Sequence, residues 1–62
     1  MKTETITVEL TEAEAMAYAQ FLKRVSWREY RNNAVNDDET ELMRDAGGKI
    51  REALSEQGYA PR

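Results

Sequence analysis

The chain has 62 residues, nine of them basic and twelve acidic, with neither histidine nor cysteine and a formal charge of −3. One domain is all this length allows, 1–62, and such a chain buries only about 60% of the surface its unfolded state exposes. Disulfides and cysteine- or histidine-ligated zinc are excluded, no cofactor is expected, and a protein partner or a second copy is the support that remains.

"MKTETITVEL" lacks the apolar run of a signal peptide. No stretch approaches the ~20 apolar residues of a membrane span. The expectation is a cytoplasmic protein with no membrane contact.

Thr5 to Leu10, "TITVEL", comes first. Ile6, Val8 and Leu10 alternate with Thr5, Thr7 and Glu9, the pattern of a half-buried strand. A lone strand is not stable. It must pair with a copy, join a partner's sheet, or lie as an arm on helices.

The first helix is predicted at 12–24. Thr11 and Glu14 form a capping box, and Glu12 and Glu14 suit the positive end of the helix dipole. Ala15, Tyr18, Leu22 and Val25 form the predicted core stripe, with Phe21 beside it. Lys23 and Arg24 close the helix.

A second box, Ser26 with Glu29, opens a helix at about 27–34, with Val25 and Tyr30 as the staple pair. The third helix is predicted at about 38–57. Asn36 with Glu39, or Asp38 with Glu41, caps it. Its seam reads Leu42, Met43, Ala46, Ile50, Ala53 and Leu54, and Gly58 with Tyr59 fits a Schellman ending before Pro61.

Gly47 and Gly48 interrupt this helix at a cost of roughly 1 kcal/mol each relative to alanine. Either another helix crosses closely at Ala46, Gly47 and Gly48, the first helix or a second copy, or the helix kinks there. The close crossing is the expected arrangement.

The fold expected is therefore mainly α: one short N-terminal β-strand or extended arm followed by three helices, dimeric or docked on a partner.

Charge falls in blocks. Lys23, Arg24, Arg28 and Arg31 lie between acidic residues 4–14 and the run Asp37, Asp38, Glu39, Glu41 and Asp45. The first explanation is charge matching within or between chains. In "KRVSWREYRNN", Trp27 and Tyr30 sit among arginines, which suits stacked bases or a protein interface, or simply closes a small core. Asp38, Glu41 and Asp45 share a helical face, but the tract lacks EF-hand order, so no metal site is expected. Without histidine or cysteine, no familiar triad or thiol nucleophile can be built, and catalysis is not expected. A chain acidic overall is also a poor nonspecific DNA binder.

"TITVELTEAEA" and "VSWREYRNNAV" resemble the ribbon and the two helix starts of ribbon-helix-helix repressors, over residues 3–35. That resemblance implies a dimer reading the major groove through Thr5, Thr7 and Glu9. An acidic ribbon opposes contact with phosphates. The frame "LTEAEA…AQFLKR…LMRDA…IREAL…GYAPR" resembles small, uncharacterised proteobacterial proteins of plasmids and prophages. It implies an accessory gene of a mobile element.

The expected function is a non-enzymatic, acidic protein-binding module, as in inhibitors of CRISPR-type defence complexes that occlude a basic surface. Asp37, Asp38, Glu39 and Glu41 are the candidate contacts, with Trp27, Arg28 and Arg31 beside them. The alternative is a ribbon-helix-helix-like dimeric DNA-binding regulator.

Overall fold

The computed structural model describes residues 2–61 as an N-terminal arm and three helices, α1 (Glu12–Arg24), α2 (Trp27–Asn32) and α3 (Asp37–Glu56). No strand occurs among the described residues, so of the two expected alternatives the arm forms. Its alternating pattern finds no neighbouring edge within the chain, and a ladder needs one.

Side chains set the helix starts. The Thr11 hydroxyl accepts the Glu14 amide at 3.1 Å, while Glu14 accepts the Thr11 amide at 2.9 Å. The α1 box is thus complete. At α2 the box is altered. Ser26 accepts the Glu29 amide at 3.3 Å, but its hydroxyl donates to the Glu29 carboxylate, also at 3.3 Å. Asn36 caps α3 through the Glu39 amide at 2.9 Å, and Glu39 reaches back to the Val35 amide at 3.0 Å.

Expected helix ends are corrected at two places. α2 stops at Asn32, two residues before the expected 34, because the Asn33 side chain donates to the Glu29 carbonyl and Arg31 donates to that of Ala34. α3 occupies 37–56 rather than 38–57, as the Asn36 cap requires. Its Schellman end forms as expected. Gly58, at φ 97°, donates to Ser55, and Tyr59 donates to Leu54, both at 2.9 Å.

α3 runs unbroken through Gly47 and Gly48, so the helix is not split there. The close approach is real at Gly47 alone. A Cβ there would lie 2.5 Å from the Tyr30 hydroxyl, whereas the Leu22 methyl from α1 stands at an ordinary 3.5 Å. The close neighbour is thus α2, where α1 or a second copy was expected. Gly48 meets nothing within 4 Å, and Ala46 is exposed.

α3 packs against both α1 and α2. The buried apolar residues are Ala15, Ala19, Leu22 and Leu54, with Tyr59 packed against them. Thr40 is fully buried, and its hydroxyl donates to the Asn36 carbonyl at 2.9 Å. The inward face of α3 therefore carries Thr40, Gly47 and Leu54, with Met43 half-buried. Leu42, Ala46, Ile50 and Ala53 of the expected seam stay outside. Tyr18 and Phe21 of the expected α1 stripe do likewise, at 46% and 49% exposure. Small residues explain both corrections. Ala15, Ala19 and Gly47 let the helix axes approach, and no bulky ring fits between them.

Candidate functional site

The charged residues singled out in the sequence fall into two groups. One is absorbed by the fold. The Arg31 guanidinium meets the Asp37 carboxylate at 2.8 Å, which joins the basic band to the acidic run across the turn between α2 and α3. Both side chains are largely exposed, so this pair contributes about 0–1 kcal/mol. Glu39 is held by the cap. Arg44 of α3 lies 5.3 Å from the centre of the Trp27 ring, a cation–π contact that ties α2 to α3. Trp27, Arg31, Asp37 and Glu39 thus have structural work within the chain.

The other group remains outward. Asp38 and Glu41 are exposed and make no ion pair among the described residues. Asp38, Leu42 and Asp45 follow one another at spacing 4 and 3, so they share one face of α3. Leu42 is 69% exposed within this acidic setting. Among the described residues Asp45 pairs only with its neighbour Arg44, at 3.4 Å. Among the described residues no group of three carboxylates converges to hold a metal ion. Arg28 is exposed and makes no ion pair among the described residues.

Two concave regions lie among the described residues beside these charged groups. A small pocket of about 210 Å³ is lined by Leu22, Val25, Tyr30, Gly47, Gly48 and three cations, Lys23, Arg44 and Arg51, with no carboxylate. The open side of Gly48 belongs to it.

The larger region is an apolar groove of about 670 Å³, formed by Ile6, Val8 and Leu10 of the arm, Ala17, Tyr18 and Phe21 of α1, and Ile50 of α3. The Tyr18 and Phe21 rings stack at 5.5 Å. Glu14 is the one charged residue in its lining. The Thr11 amide, and secondly the Thr11 hydroxyl, hold the Glu14 carboxyl below the usual glutamate value, with slight desolvation opposing. Sequence reasoning assigned Tyr18 and Phe21 to the core and missed this groove. A signal was present, since Leu10, Glu14, Ala17 and Phe21 recur at spacing 4, 3 and 4, a second stripe beside Ala15, Ala19 and Leu22.

No described helix is long and apolar enough to cross a membrane. The sequence model of one family matches residues 1–62. The chain belongs to DUF7706, a family of unknown function. No curated protein and no solved structure matches it.

Proposed function

We propose that this chain is a non-enzymatic protein-binding module that occludes a basic surface on its partner. The observation that carries this reading is Leu42, an exposed leucine on a helix face shared with Asp38 and Asp45 and flanked by Glu41. Such a face suits a partner with an apolar recess and a basic rim. Acidic residues around it speed encounter and fix orientation, while the leucine supplies burial. The resemblance to plasmid and prophage proteins supports a defence nucleoprotein complex of CRISPR type as the target, because such complexes carry basic channels for nucleic acid.

The test is a plasmid-interference assay in a host with an active CRISPR system. Expression of the chain restores transformation, and the triple variant Asp38→Lys, Glu41→Lys, Leu42→Lys abolishes the rescue. All three side chains are exposed, so the fold is retained. No rescue by the unaltered chain, or full rescue by the triple variant, refutes the reading.

The arm ahead of two helices keeps the ribbon-helix-helix alternative as a second proposal, with Thr5, Thr7 and Glu9 facing DNA. A gel shift titrated with salt decides it. Specific binding that weakens steeply with salt favours it.

A further inference from the structure

We infer that the groove between the arm and α1 is the contact surface for a second copy of this chain, paired antiparallel through α1. The need for such cover is plain. Four buried apolar side chains form the core, while Ile6, Val8, Leu10, Tyr18 and Phe21 are all at least 46% exposed along one groove. More large apolar side chains line this groove than fill the core.

The face is complementary to itself. Glu14, Ala17, Phe21 and Arg24 follow at spacing 3, 4 and 3, which places them on one stripe of α1. Two such stripes run antiparallel about a twofold axis level with residue 19. Ala17 of each copy then faces Phe21 of the other, and Glu14 faces Arg24. A small residue meets a large one, and an acid meets a base, twice over by symmetry. A groove rimmed by this carboxylate suits an identical helix better than an apolar ligand. Within one chain Arg24 bonds only Gln20, one turn away, among the described residues. The arms cover the flanks of the pair, where Val8, 70% exposed, gains a neighbour.

This surface is separate from the Leu42 face, so the two proposals fail independently. Sedimentation equilibrium on the full chain is expected to give twice the 7.2 kDa chain mass. Ala17→Arg is expected to halve it with helical circular dichroism unchanged, because Ala17 is exposed in the single chain. The register has its own test, since the native chain has no cysteine. Ala17→Cys and Phe21→Cys chains, mixed in equal amounts and oxidised, should form the mixed disulfide well above the roughly twofold excess over each symmetric one that random pairing gives. The cysteine pair decides even where Ala17→Arg costs helix content. A mass of 7.2 kDa at every concentration up to about 1 mM, a dimer indifferent to Ala17→Arg, or a mixed disulfide at no more than its chance share of about half would overturn the proposal.

Discussion

Gly47 and Gly48 are neighbours with opposite surroundings. At Gly48 a methyl group would stand in open space. Alanine there should stabilise the protein by about 1 kcal/mol through helix propensity alone. At Gly47 the same methyl group would press on the Tyr30 hydroxyl at 2.5 Å, so the ring must move and the gain is lost to overpacking. Denaturant titration of the two single variants should therefore separate them. Adding Tyr30→Phe to Gly47→Ala should recover part of the loss, because the nearest atom becomes the ring carbon at 3.4 Å. Sequence reading identified the pair as a packing site and could not divide it. The dividing contact comes from Tyr30, 17 positions earlier, and depends on how α2 lies across α3.

At the scale of the element, local chemistry was legible and facing was not. All three N-caps and the Schellman end follow from residues within a few positions of each other, so the sequence states them almost directly. Which stripe of α1 turns inward depends on what α3 presents. Ala15, Ala19 and Leu22 are inward because α3 offers Gly47 and Leu54, and hydrophobic periodicity weighs bulk and ignores fit. Thr40 itself gave no apolar signal and is the most deeply buried side chain of α3.

The α1 cap carries two further expectations. Thr11→Ala removes the half of the box that the hydroxyl accepts, leaves the backbone amide donating to Glu14, and should lower stability by about 1 kcal/mol in urea denaturation. Glu14 titrates below its unfolded value, so its contribution is present above the unfolded glutamate range. That contribution is lost as pH falls through the lowered folded value. Glu14→Gln should flatten this acid-side loss of helix, followed by circular dichroism across the glutamate range.

The whole molecule is a slab measuring 33 × 28 × 15 Å. Its radius of gyration is 12.5 Å, against about 11 Å for a compact chain of this length. A slab one helix pair thick has two faces and little interior, so an uncovered face costs it more than it would cost a larger protein. With the groove closed by a second copy, the melting temperature should rise by several degrees for each roughly tenfold increase in chain concentration. Calorimetry over two such steps checks this, and a concentration-independent transition contradicts it. The proposed pairing through α1 has no motif of its own. The lack of cysteine and histidine and the lone strand pattern pointed to outside support without saying which face takes it, because the groove arises where three separate segments meet.

The Arg44–Trp27 contact gives the protein a built-in optical reporter. Trp27 is the sole tryptophan, and it is held on the seam between α2 and α3, outside the apolar groove. A guanidinium seated on the indole face perturbs its emission, so fluorescence follows whether α2 stays docked and ignores what happens along the arm. Light from one residue and mass from sedimentation thus follow two separate events in a 62-residue chain. Loss of the Trp27 signal before the chains separate would show that α2 lets go first.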